Sequence, residues 1–299
     1  MAPVEVLEPS RTPSLPRSME RRRRRLPIAR WFAYAWLAAA VVAAVFADLL
    51  PIKGYDETPA PGVTDQYRLR PGFRFDEPLG TDGLGRSELS RVIHGLRISL
   101  LLALVAVSVA MVLGVLIGVA AGYLRGWFER VFDLVTDTLL AYPPLLFLLA
   151  LTAALRPGLV TITIGLVFLA FPTQARVARA NTLSFAQREF ITAARAMGAR
   201  PTRIILREIV PNVALPVMSV SFLAMAGLMV AEGSLSFLGV GVPPPRPTLG
   251  SMIADGRSNL STTPHLVFVP GVVMLLTVFS LNTVGDHVRA VLGLKDVDA

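Results

Sequence analysis

Six stretches of the chain are long and apolar enough to be judged as membrane spans, against the roughly 20 apolar residues a hydrocarbon core requires. They run from about Trp31 to Leu50, Ile98 to Leu124, Val131 to Leu155, Leu159 to Phe171, Ala214 to Val240 and Leu266 to Val284. The fourth is short before Pro172 and is expected to continue past it as a kinked helix, because proline is tolerated in buried membrane helices. Sustained apolar runs of this length predict an all-α integral membrane chain of six transmembrane helices. Trp31, Trp36, Tyr123 and Trp127 fall near the expected interfaces, where amphipathic rings are favoured.

Between the fourth and fifth spans the pattern changes to a short amphipathic one. Ser184-Phe185-Ala186-Gln187 reads as a capping box, with the serine hydroxyl and the glutamine side chain satisfying amides at a helix start. Phe190, Ala193, Ala194 and Met197 then recur at helical spacing, while Arg188, Thr192 and Arg195 lie off that stripe. Gly198 is placed to close the helix with a positive φ, and Pro201 favours a new start. A second helix is therefore expected over Thr202 to Val210, before Pro211. Small residues at Ala193, Ala194 and Gly198 would let another surface approach the backbone, with arginines nearby to pair with acids on it. An interfacial helix lying on anionic headgroups would use the same arginine-rich face.

Composition agrees with a membrane protein: 53% of the 299 residues are hydrophobic and only 17% charged. The formal charge of +8 is clustered rather than spread. Eight Arg against three Glu precede Trp31, and seven Arg against two Glu lie from Gln174 to Asn212. Such clusters face the cytoplasm, which puts both chain ends and the Gln174 to Asn212 segment inside. Pro51 to Gly95 would lie outside, its six basic residues nearly balanced by seven acids. The first span resembles a signal peptide in its basic flank and in Val45-Phe46-Ala47. It reads instead as an uncleaved anchor, because about 30 residues precede it and it exceeds an h-region of about 7 to 15. Residues 1–20, with Pro3, Pro9, Pro13 and Pro16, read as a disordered tail.

Candidate chemistry is sparse. Asp133 and Asp137 share one helix face near the inner end of the third span, where carboxylates face protein or water rather than lipid. Interhelix polar contacts and the substrate path are their two readings. Glu232 lies late in the fifth span beside Gly233, Ser234 and Ser236, a small-residue setting that permits close packing; the outer vestibule is its alternative place. His94, His265 and His287 fall in three different segments without metal-ligand spacing, and there is no Cys to supply a thiolate or a disulfide. The only lysines, Lys53 and Lys295, stand in no P-loop, and neither an HExxH nor a GxSxG motif occurs. Energy from ATP would have to come from another chain, and no catalytic, cofactor or metal residue is expected on this one.

The stretch from Glu189 to Gly198, followed by Arg203-Ile204-Ile205 and Ile209-Val210-Pro211-Asn212, resembles the EAA loop of ATP-binding cassette (ABC) importer permeases. Thr192 stands where the generic motif has Glu, so a salt bridge made there by that Glu is not implied. The resemblance extends through Pro78 to Arg86, Leu89-Ser90-Arg91, Gly95 to Leu100, Leu140 to Pro143, Leu235 to Pro244 and Gly285-Asp286. In that order, from about Leu79 to Lys295, these motifs are similar to those of the dipeptide/oligopeptide/nickel importer permeases.

The resemblance implies a type I ABC importer permease fold whose coupling helix docks on an ATPase through Glu189, Phe190, Ala193, Ala194, Arg195, Met197 and Gly198. It also implies a homologous permease as partner, a distinct one being favoured, two ATPase subunits that bind ATP and Mg, and an extracytoplasmic substrate-binding protein. No nucleic acid is expected. Transport would be of di- or oligopeptides by alternating access in the inner membrane, with nickel chelates and glutathione-like compounds as alternative cargo. An ATP-independent secondary transporter or channel would instead call for intramembrane ionisable relays and repeat symmetry, and neither is evident. The expected organisation is a basic cytoplasmic tail (1–30), an anchor helix (31–50), an extracytoplasmic segment (51–96), a five-helix permease core (97–290) containing the coupling loop (174–212), and a cytoplasmic C-terminal tail (291–299).

Overall fold

The computed structural model describes residues 27–59, 68–72 and 77–292; the proposed tail over residues 1–20 lies outside them. Among the described residues there is no strand, only an isolated bridge between Thr81 and Ser87. The helices are α1 (Pro27–Val45), α2 (Glu88–Leu124), α3 (Trp127–Ala141), α4 (Pro144–Ala154), α5 (Leu159–Phe185), α6 (Glu189–Ala196), α7 (Pro201–Arg203), α8 (Val210–Phe237), α9 (Leu249–Gly256) and α10 (His265–Val291). Five continuous helices meet the length and hydropathy of a span, and α3 with α4 meets them as a pair bent by 90°. Large apolar side chains stay exposed along the outside, among them Leu101, Leu116, Phe268 and Leu275. Helices apolar on both faces belong in lipid rather than water.

The centre of the bundle is the α2–α5 pair, and its cause is a run of small residues. Gly114, Gly118 and Gly122 recur every four residues on α2, one above the other, so they present a flat strip to α5. A Cβ on Gly118 would lie 2.3 Å from the Ala175 carbonyl oxygen, and one on Gly122 2.9 Å from Thr182 Cβ. Contacts thus advance along both helices together: Gly114 meets Gln174, Gly118 meets Ala175 and Ala178, Gly122 meets Thr182. That register makes α2 and α5 parallel.

Parallel neighbours require a crossing between them, and α3 and α4 make it. Glu129 and Asp137 on α3 pair with Arg179 and Arg176 respectively, so α3 descends α5 from its C-terminal end, and Leu148 of α4 packs on Gly165 nearer the start of α5. The third span is therefore a broken helix, not the straight run expected from Val131 to Leu155. The break falls at Tyr142-Pro143-Pro144, where tandem prolines cannot donate the backbone bonds a straight helix would need.

The remaining helices alternate in direction. Ser99 near the start of α2 meets Glu232 near the end of α8. Gly233 and Gly285 place α10 antiparallel to α8, against Met274 and Leu223. Trp36 Nε1 donates to Thr277 Oγ1 at 3.2 Å, and Tyr34 touches His287, which sets α1 antiparallel to α10. Among the described residues six crossings follow, the bent α3–α4 pair counting as one, with residue 27, residue 292 and α6 all at one end and the α2 N-terminus with α9 at the other.

Three local expectations are corrected. The Ser184 to Gln187 capping box does not start a helix. Ser184 lies in the last turn of α5, which continues because Thr182 and Phe185 pack inward, and α6 begins at Glu189 after an extended Arg188 that makes no side-chain cap. The fourth span itself continues past Pro172 as expected, helical to Phe185. The helix expected over Thr202 to Val210 does not stop before Pro211 either. A π-helical stretch, Ile204–Ile209, with Val210 N–H bonded back to Ile205, carries α7 into α8 through the proline. The second span begins at Glu88 rather than Ile98, with Ser87 Oγ accepting from Ser90 N–H at 3.5 Å as its N-cap.

Candidate functional site

At the end shared by residues 27 and 292, α6 projects as a short amphipathic helix between α5 and the α7–α8 rod. Its inner side is fixed by Ile191, fully buried against Val115, Val119, Ile204 and Val213. Its outer side carries Phe190, Ala193 and Met197, all exposed, with Met197 at 81%. Residues at i, i+3 and i+7 lie on one face, so an apolar strip with a central alanine points away from the bundle. Ala194 sits at its edge and packs inward. The helix ends where Met197 N–H bonds to the Ala193 carbonyl and Gly198 takes φ +77°; a Cβ there would meet no atom within 4 Å, so glycine serves the backbone angle and not a packing need. Glu189 lies exposed in the first turn, where its charge suits the helix N-terminus.

Arg195 is partly committed. Its guanidinium stacks 5.1 Å from the centroid of the Tyr123 ring, at the C-terminal end of α2, tying α6 to the α2–α5 pair. Arg188 lies similarly over Phe185 at 5.3 Å. The strip is therefore held on a rigid base: α5 enters it, α7 and α8 leave it, and α2 anchors it from below.

Asp133 and Asp137 lie on one face of α3, and a third acid, Glu129, extends the row by a further turn. Opposite them on α5 stand Arg176, paired with Asp137, and Arg179, paired with Glu129 and at 3.4 Å with Asp133. Arg179 also lies over the Phe132 ring. These carboxylates hold the broken third crossing on α5. Arg179→Gln is expected to lower the thermal midpoint of the purified chain by the equivalent of about 1 kcal/mol, since the partners are partly exposed; an unchanged midpoint would show that the row contributes nothing to stability.

Glu232 is brought to neither group. It is buried, accepting from Ser99 Oγ at 3.2 Å and from Ser236 Oγ at 2.9 Å. Ser99 Oγ in turn accepts from the Leu249 N–H at 3.2 Å, so one carboxylate joins α2, α8 and the start of α9. Beside it Gly250 and Gly233 approach so closely that a Cβ on Gly250 would lie 2.4 Å from Gly233 Cα.

The sequence reading missed the glycine strip on α2, whose four-residue spacing was a usable signal, and the arginines opposite Asp133 and Asp137. It also missed the part played by Asp48. In the short turn Ala47–Leu49 after α1 this residue pairs with Arg97 at 2.6 Å and lies 3.4 Å from His94 Nε2; the Arg97 hydrogen bond holds its carboxyl below the ordinary value. Among the described residues no three His, Cys, Asp or Glu side chains come together as a metal-binding group.

Comparison with known proteins places this geometry in a family. The family described as "binding-protein-dependent transport system inner membrane component" matches residues 114–294. The chain is 36% identical over 217 residues to the di/tripeptide transport system permease protein DppC of Pseudomonas aeruginosa, covering 73% of this chain and 72% of that one. To the glutathione transport system permease protein GsiD of Salmonella paratyphi A it is 34% identical over 292 residues, covering 98% and 94%. A chain of the inward-facing MetNI methionine ABC transporter superposes with a TM-score of 0.57 at 20% identity, over 67% of this chain and 96% of that one, which is a likeness of fold.

Proposed function

The chain belongs to the binding-protein-dependent transport system inner membrane components, and from that membership we propose that it moves peptides inward by alternating access, driven by separate ATPase subunits that dock on α6. The observation that carries this reading is the outward strip of Phe190, Ala193 and Met197, closed by Gly198 and seated on a rigid base. A strip with small residues at its centre fits a cleft, and a fixed base transmits displacement of that cleft to α5 and α8 together. The ATP-bound and ATP-free partner must hold the strip differently, because equal contact in both states shifts no equilibrium.

In this arrangement Glu189, Phe190, Ala193, Ala194, Arg195, Met197 and Gly198 form the docking surface, and the end carrying them faces the cytoplasm, as the basic residues around it favour. ATP and Mg are bound by the partners. A homologous but distinct permease completes the pathway, and an extracytoplasmic receptor delivers the cargo at the α9 end. The names of the relatives support peptides, with glutathione as a member of the same chemical class. Asp133, Asp137 and Glu232 act as interhelix contacts, because each is engaged by a neighbouring helix.

Arg195→Glu is expected to reduce co-purification of the ATPase subunits at least severalfold, while Tyr123→Leu, which removes only the ring beneath the guanidinium, leaves it near the native yield. Native co-purification by Arg195→Glu would exclude its charge from the docking surface.

A further inference from the structure

At the end opposite α6 the loop before α2 folds around Asp82. Its Oδ1 accepts from the N–H groups of Leu84 and Arg86 at 2.8 and 3.0 Å, and its Oδ2 from Arg86 Nε at 2.7 Å. Gly80 makes this turn possible with φ +81°, since a Cβ there would lie 2.1 Å from the Leu69 carbonyl oxygen. The turn forms one wall of a cavity of about 710 Å³, whose other walls are the first turns of α2, the segment after α8, and α9. Asp82, Arg86, Glu88, Arg91 and Asp255 all line it.

Asp82 and Arg86 are fully engaged with one another, at 2.7 Å, and Arg91 Nε adds a 3.5 Å contact to the same carboxylate. Two groups are left over. Glu88 is 1% exposed and its Oε1 has no hydrogen-bond partner among the described residues; Arg91 is 5% exposed and its Nη1 has none either. Leaving an ionisable group buried and incompletely bonded costs free energy in either protonation state, and a ligand that meets it recovers part of that cost. They stand one helical turn apart on the same face of α2, an unfilled acceptor beside an unfilled donor. Across the cavity Asp255 supplies a third carboxyl, whose pKa burial raises above its ordinary value against the opposing pull of Arg91 and Arg86.

We propose that this cavity binds the charged ends of a peptide on the permease itself, Arg91 taking the α-carboxylate and Glu88 the α-ammonium. The spare donor of Arg91 and the spare acceptor of Glu88 match a zwitterion and leave a singly charged ligand with one group unmet. The volume falls in the range of small-molecule sites, about 300–1,000 Å³, and leaves room for side chains of varied size. Recognition through the ends and not the side chains suits a transporter of many peptides. The assignment rests on the peptide reading above and adds to it a site distinct from the receptor's.

The test is direct binding to the full-length chain assembled with its partner permease and ATPases in lipid nanodiscs, without the receptor. Isothermal titration with L-alanyl-L-alanine is expected to saturate, and N-acetylation or C-amidation of the dipeptide is expected to weaken binding about tenfold each, the worth of one charged hydrogen bond. In Arg91→Gln the amidation penalty disappears and the acetylation penalty stays; in Glu88→Gln the reverse holds. Capping the ligand requires no change to the protein, so a variant that fails to fold leaves the test intact. Equal binding of free and capped dipeptide, or no binding at all, overturns the proposal. ATP-driven uptake by the same assembly with its receptor, measured alongside, separates the two readings: uptake of the free dipeptide without discrimination in the titration removes the cavity assignment and leaves the peptide function standing.

Discussion

Gly118→Ala is expected to abolish the folded bundle, although it adds a single methyl group. The new Cβ would lie 2.3 Å from the Ala175 carbonyl oxygen and 2.9 Å from Ala178 Cβ. The first of these is backbone and cannot swing aside, so α2 and α5 must separate along the strip from Gly114 to Gly122. Overpacking of a filled core costs about 1–3 kcal/mol where side chains can yield, and more where they cannot. Close approach of small residues is also what holds helices together once they are inside lipid, where apolar burial alone gives no preference for protein over tails. Gly271→Ala is the matched control. Gly271 lies within α10, and a methyl group added there would have nothing within 4 Å, so the same substitution is expected to be neutral or, by helix propensity, stabilising by up to about 1 kcal/mol. Fluorescence-detected size exclusion of detergent extracts reads both. A monodisperse native peak for Gly118→Ala would show that the α2–α5 contact does not organise the bundle.

The second large effect is on transport with the fold preserved. Ala193→Trp places a bulky ring in the middle of the exposed strip on α6 and touches nothing inside the bundle, so insertion and thermal midpoint are expected to be native while ATP-driven uptake falls by at least tenfold. Gly198 separates shape from backbone strain. Its φ of +77° is one asparagine adopts with little penalty, whereas for most side chains the left-handed region costs roughly 1–2 kcal/mol. Gly198→Asn is therefore expected to retain much more uptake than Gly198→Trp. Normal uptake by Ala193→Trp and Gly198→Trp together would remove α6 as the point of force transfer.

Much of this architecture was legible because lipid imposes it. Apolar runs located the crossings, though not their ends, since α2 begins ten residues before the expected Ile98, and Gly198 and Pro201 marked the end of α6 and the start of α7 by backbone chemistry alone. What was not legible depended on partners distant in sequence. Asp133 and Asp137 declare a shared face, but nothing in their vicinity names Arg176 and Arg179 as their counterparts. Asp255 joins Glu88 and Arg91 only through the packing of α9 on α2. The Ser184 to Gln187 pattern misled for a related reason: a capping-box spacing also occurs inside helices, and the contact of Thr182 with Gly122 keeps α5 going through it. The break at Pro143-Pro144 was present in the sequence as a signal, but the hydropathy of the run across it masked a 90° turn.

Energy transfer through α6 is tested most directly by reconstituting the chain with its partner permease, its ATPases and its receptor in proteoliposomes and following accumulation of labelled L-alanyl-L-alanine. Accumulation is expected to require ATP hydrolysis and to be lost when the ATPase subunits are omitted or when the chain carries Ala193→Trp. Accumulation at the full rate in vesicles containing no ATPase subunit would contradict this.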